Sequence, residues 1–175
     1  MKKNASYYLL ISVLMLGLSS CNKEEGVDPV EIDMEALNDA KMNWEGLNIK
    51  DYTLECSFDT RRVEPYTVVV RNGVVHEITP EPGNMYEFAY LRHFTGRNLT
   101  IDNLFREIER LSTDPIVSVS GIEWTCFNAI ISYDATYYYP KKVQLSFGFS
   151  EMDDGDEYFS LAPDVILNIT RFEPE

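Results

Sequence analysis

Three consecutive tyrosines, Tyr137, Tyr138 and Tyr139, stand immediately before Pro140. Aromatic rings at a turn beside acids can stack on sugar faces while the carboxylates accept hydrogen bonds from hydroxyls. Tyrosine serves protein interfaces equally well, because it offers apolar area with a polar tip. In extended chain Tyr137 and Tyr139 share a face and Tyr138 opposes them, so at least one ring is expected to be wet. The competing reading is that one or two of these rings close the edge of the core. A second cluster, Glu151-Met-Asp-Asp-Gly-Asp-Glu157, places Asp153, Asp154 and Asp156 around a glycine. Such oxygens can hold Ca²⁺, but the twelve-residue EF-hand spacing and its terminal acid are missing. A solvated hairpin turn is the simpler reading, and no metal is assigned. His76 and His93 are the two histidines and lie far apart. No HExxH, GxSxG, P-loop or GxGxxG occurs. No catalytic residue and no cofactor is nominated, and the chain is not expected to be an enzyme.

The cysteines separate into one at the N-terminus and two in the body of the chain. Lys2 and Lys3 precede an apolar run, Tyr7 to Leu18, of signal-peptide size and too short to span a bilayer. Leu18-Ser19-Ser20-Cys21 follows and resembles the lipobox of bacterial lipoproteins. The resemblance implies a diacylglyceryl group on the Cys21 thiol and cleavage just before that residue. Acyl chains of the palmitate type contribute about 0.8 kcal/mol per buried CH₂, so two or three hold firmly where one does not. Position 22 is Asn and not the Asp that usually retains a lipoprotein in the inner membrane, which favours the outer membrane. Lys23-Glu24-Glu25 is similar to the surface-export signal of certain Gram-negative lipoproteins, so the cell surface is the expected location. A charged tether on a periplasm-facing anchor is the alternative. Cys56 and Cys126 remain as a candidate disulfide, since an oxidising compartment permits one. Closing that loop would contribute about 4 kcal/mol in the chain-entropy account. They can equally be small buried hydrophobes.

Removing Lys2 and Lys3 with the signal takes the formal net charge from −14 to −16. Phosphate binding needs clustered Lys and Arg, so nucleic acid and anionic head groups are excluded as partners. About 150 residues remain, enough for one domain with a real core. The 11 Tyr and 9 Phe mark a globular chain and not a spacer. The expected organisation is a signal over residues 1–20, a lipidated tether over 21–32 and a single domain over 33–175.

These residues need a frame. Leu37, Ala40, Trp44 and Leu47 recur at helical spacing after Asp33, and Gly46 and Asn48 mark the helix end. Tyr52 to Phe58 alternates as a half-buried strand. Tyr66–Arg71 and Val74–Ile78 flank Asn72-Gly73, whose tolerance of positive φ predicts a type I′ hairpin. Thr79 to Gly83 breaks the pattern, and Met85 to Phe94 reads as loop or a short helix. Thr100 begins the clearest helix, with Ile101, Leu104, Phe105, Ile108 and Leu111 on one face. Asp114-Pro115 stops it. Strands are expected at Trp124–Tyr133, Lys142–Phe149 and Phe159–Phe172, the last broken near Pro163. Turns fall at Ala135–Pro140 and Asp153–Asp156. The fold class is α+β: an antiparallel sheet of about six strands with two helices packed on one face.

Trp44 ahead of Asp51-Tyr52, the cysteine in that strand, VVVRNGVV, TIDNLFREI and YDATYYYPKKVQLS together resemble the bacterial domain-of-unknown-function family numbered 6174. The resemblance runs from about residue 38 to 172. It implies a domain shape and no chemistry. It also implies glycine before Tyr-Pro, where this chain has Tyr138. The leading expectation is a non-catalytic, lipid-anchored envelope domain that binds a protein or glycan through its sheet edge or the tyrosine turn. A protease-inhibitor or chaperone-like module is the alternative, and a hydrolase stands third.

Overall fold

The computed structural model describes residues 30–58, 65–79, 98–119, 122–153, 156–161 and 164–175, without the side chains of 118, 119, 122, 149–153 and 156–161. Cys21, the lipobox, His93, the segment Met85–Phe94 and Asp154 lie outside them.

Helix α1 spans Met34–Leu47. Asp33 is its N-cap, the carboxylate accepting from the Ala36 amide at 2.9 Å, which satisfies one orphan donor of the first turn. Leu37, Ala40 and Trp44 form its buried stripe. Asn48 ends it in the left-handed region at φ 51°, the position glycine usually takes. Strand β1 (Tyr52–Phe58) alternates buried and half-buried residues throughout. β2 (Tyr66–Arg71) and β3 (Val74–Thr79) form the expected hairpin. Asn72 and Gly73 sit at φ 50° and 72°, as a type I′ turn requires. The turn is tied to the α1–β1 link by Asn72 N–H to Asp51 Oδ1 at 2.7 Å and Gly73 N–H to Lys50 O at 2.8 Å. Helix α2 (Ile101–Leu111) is capped by Thr100 and buries Ile101, Leu104, Phe105, Ile108 and Leu111.

Four more strands complete the chain: β4 (Ile116–Val119), β5 (Ile122–Tyr133), β6 (Pro140–Asp153) and then β7 (Asp156–Leu161), with β8 (Val165–Pro174) last. The sheet has eight strands in the order β3-β2-β1-β8-β6-β5-β4, and β7 also pairs with β6. Every pairing is antiparallel. Two differences from the expected six strands have simple causes. β4 has only four residues and follows the helix stop directly, too short for an alternation signal. The expected Phe159–Phe172 strand is two strands that pair with the same edge of β6 on either side of the Pro163 break.

One sheet face carries the core: Leu54, Cys56, Val68, Val70, Val143, Leu145, Leu167 and Ile169 are all buried there, and both helices pack on it. Bulges adjust which residues reach this face. Thr170 is the extra residue opposite Glu55/Cys56, so Ile169 and Phe172 both point inward although they are three apart. The core also includes Val30, and Ile32 packs against it, so the tether expected over 21–32 ends before Val30. Burial of an apolar side chain is favourable by about 1.5–3 kcal/mol, which commits these two residues to the domain.

Candidate functional site

The tyrosine turn joins β5 to β6. Asp134 organises it: its Oδ1 accepts from the amides of Thr136 and Tyr137 at 2.8 and 2.9 Å. Its backbone accepts from Tyr138 N–H at 3.0 Å and donates to Tyr139 O at 2.9 Å. This is the side-chain-to-backbone bonding that makes aspartate a turn residue. The closure sets Tyr138 at φ 63°. A bulky residue is rarely held there, and glycine is the natural occupant.

Tyr137 and Tyr139 share a face, although the turn and not extended chain puts them there, and that face is the core. Their rings lie 5.1 and 4.9 Å from Phe172. Phe172 also meets Tyr52 at 5.2 Å and Trp44 edge-on at 5.7 Å. Tyr139 is buried, and burial, helped by Asp134 and Tyr137, pushes its hydroxyl up to about 12. Tyr137 and Tyr138 are partly buried against the same cluster. The triplet is thus chiefly the edge of the core.

Around this cluster the two helices are pinned by polar contacts. Trp44 Nε1 donates to Asp102 Oδ1 at 2.6 Å, and Lys50 lies 3.9 Å from the other oxygen. The Ile101 amide, at the start of α2, donates to the Tyr52 hydroxyl at 2.8 Å. Burial raises the Tyr52 hydroxyl well above its ordinary value, that hydrogen bond opposes the rise, and Asp102 adds to it. The hydroxyl stays neutral, as fits a group that accepts from a helix N-terminus inside the core.

Cys56 and Cys126 are both free buried thiols. They sit on β1 and β5, with β8 and β6 between them. Three strand spacings are about 14 Å, more than twice the Cα separation a disulfide tolerates. The candidate bridge is therefore not made, and the small-hydrophobe reading holds. Burial raises Cys56 from 9.0 to about 12 and Cys126 to about 11. Asp153 and Asp156 are paired at the end of the β6–β7 ladder; their side chains, with Asp154, lie outside the described residues. Among the described residues no cluster of His, Cys, Asp or Glu is arranged to hold a metal. His76 is the extra residue of a bulge in β3 and is exposed.

A second feature was not foreseen. A groove of about 580 Å³ runs between the start of α1 and β5. Glu31, Ile32, Asp33 and Ala36 form one wall, and Ala129, Ile130, Ile131 and Tyr133 form the other. Tyr133 stacks on Phe105 with ring centroids 6.3 Å apart. Its hydroxyl is pushed up to about 12, by burial first and by Asp33 second. One signal for the groove was present in the sequence: Asn128 to Tyr133, NAIISY, is a strand stretch with no charged residue.

The family model for the family of unknown function DUF6174 matches residues 36–165, from the first turn of α1 to the first residue of β8. The chain belongs to this family. The match bears out the resemblance carried by Trp44, the Asn-Gly hairpin, helix α2 and the Tyr-Asp to Tyr-Pro turn. The outer part of the groove wall, Glu31 and Asp33, and the aromatic hub Phe172 fall outside the stretch that defines a DUF6174 domain here. Nothing among curated proteins or solved structures matches the chain.

Proposed function

We propose that this DUF6174 protein is a lipid-anchored envelope lipoprotein whose domain binds a protein partner without catalysing a reaction. The anchor is Cys21, behind Leu18-Ser19-Ser20, in the outer membrane and facing the cell exterior. The observation that carries the binding role is the groove beside β5, a concavity that sets carboxylates beside apolar side chains and has a volume in the range of ligand sites. Packing of Tyr137 and Tyr139 on Phe172 moves the site from the tyrosine turn to the sheet edge, and the partner from glycan to protein. A glycan would need flat exposed rings, and these rings are largely committed to the core. The inhibitor or chaperone-like reading shares this surface, since both act on extended polypeptide; it remains fold-level analogy.

The test has two parts in Gram-negative cells carrying the full chain. Intact mass should show an acylated chain beginning at Cys21, and Cys21→Ser should abolish acylation and release the protein from membranes. A photo-reactive residue at Ser132 should cross-link a partner protein, while the same residue at Tyr138 should not. Membrane attachment unchanged by Cys21→Ser, or cross-links from Tyr138 alone, would overturn the reading.

A further inference from the structure

The groove is bounded by a strand edge that is bare among the described residues. β4 covers β5 only from Ile122 to Thr125, and the last backbone bond on that side is Cys126 N–H to Pro115 O at 2.9 Å. From Asn128 to Tyr133 β5 pairs with β6 on one side, and among the described residues no strand pairs with the other. Six residues in extended form span about 20 Å.

Sheet edges are normally blunted by charge, proline or bulges, because unpaired amides and carbonyls invite another strand. β3, at the far edge of the sheet, follows that rule. It has a bulge at His76 and carries Glu77. Asn-Ala-Ile-Ile-Ser-Tyr in β5 has no charge and no proline, the bulge of that strand at Phe127 lies just before it, and Ile130 is 52% exposed. Ile32 and Ala36 face this edge across the groove, and Glu31 and Asp33 add two carboxylates to the lining, which contains no Lys or Arg. A second copy of this chain would bring the same acids and a net charge of −14 to its own image, which disfavours self-pairing.

We infer that the open edge of β5, Asn128 to Tyr133, receives an extended basic strand of a partner protein, whose Lys or Arg residues meet Glu31 and Asp33. The inference rests on the partner-binding reading above and names its chemistry. Strand addition supplies main-chain hydrogen bonds, and alternate side chains supply selectivity. One set of the incoming side chains faces the Ile32–Ala36 wall, and the other lies beside Ile130.

The probe is a fluorescein-labelled ten-residue Lys-Val repeat, added to the full chain in detergent micelles. The comparisons are a Glu-Val repeat and a Lys-Val repeat interrupted by proline. Anisotropy should report saturable binding of the first alone. Glu31→Lys and Ile130→Lys should each weaken it by about tenfold, whereas Val74→Lys on the opposite edge should leave it within about twofold. All three positions are exposed, and urea midpoints check that the variants stay folded. Those amides of 128–133 that point away from β6 should exchange freely in the chain alone and become protected with peptide. Equal binding of the interrupted or acidic peptide, or binding indifferent to Ile130→Lys, would overturn the inference. Protection of the outward-pointing amides of 128–133 before peptide is added would do the same by showing the edge already filled by the chain itself, and so would a doubling of mass with concentration by revealing a second copy. Cross-links from Ser132 without any peptide binding would refute strand addition and leave the partner-binding role standing.

Discussion

Tyr138 offers the sharpest test of how the turn is built. Its φ of 63° places a bulky side chain in the left-handed region, fixed by the paired backbone bonds between Asp134 and residues 138 and 139. An L-residue there is destabilised by about 1–2 kcal/mol. Tyr138→Ala and Tyr138→Gly both delete the ring, so their difference isolates the backbone. Glycine relieves the strain but adds about 0.5–1 kcal/mol of unfolded-chain entropy relative to alanine. The glycine variant should therefore be the more stable by about 1 kcal/mol, or about 3 °C in Tm. Against the parent, loss of a half-buried ring, about 100 Å² at 25 cal/mol/Å², should cost the alanine variant about 2 kcal/mol and the glycine variant about 1. Urea unfolding by circular dichroism, with m held constant, measures all three. An alanine variant as stable as the glycine variant, or more so, would refute the claim of a strained residue. It would also remove the physical reason for the glycine that the family resemblance implies at this position.

Phe172 joins four rings, so Phe172→Ala should cost about 3 kcal/mol and Phe172→Leu about 1; urea midpoints giving under 1 for alanine would show that the cluster is not cohesive. The Trp44–Asp102 bond has a charged acceptor but a half-exposed one, so a double-mutant cycle with Trp44→Phe and Asp102→Ala should yield a coupling of about 1 kcal/mol, and additivity would refute it. The buried thiols imply a pH dependence. Their folded values lie above the unfolded value of 9.0, so the stabilisation is complete below pH 9. It is lost as pH rises to about 11 for Cys126 and about 12 for Cys56. Urea unfolding at pH 8 and pH 10.5 should show that loss, smaller in Cys56→Ala. Iodoacetamide at pH 8 should label neither cysteine until the chain unfolds, and native labelling of either would contradict its burial.

Local order was legible because it is encoded over short distances. The alternation from Tyr52 to Phe58, the apolar stripe from Ile101 to Leu111, the positive-φ pair Asn72-Gly73 and the break at Pro163 each depend on neighbours in the chain. Two helices on one face of an antiparallel sheet follow from those patterns. What the residues could not disclose is which strands meet. β8 inserts between β1 and β6, and only that placement carries Phe172 to Tyr137 and Tyr139 and turns a plausible sugar platform into core. The bulge at Thr170, which points both Ile169 and Phe172 inward, arises from pairing and not from alternation. The same strand order puts two strands between Cys56 and Cys126, a separation that cysteine counting cannot sense. Among the described residues the edge of β5 is bare because β4 begins only at Ile116, where the chain has just left α2, leaving the uncharged run from Asn128 to Tyr133 beside the start of α1. Side-chain period is a property of one strand, whereas an open edge is a property of the neighbour it lacks, and only the tertiary structure decides that.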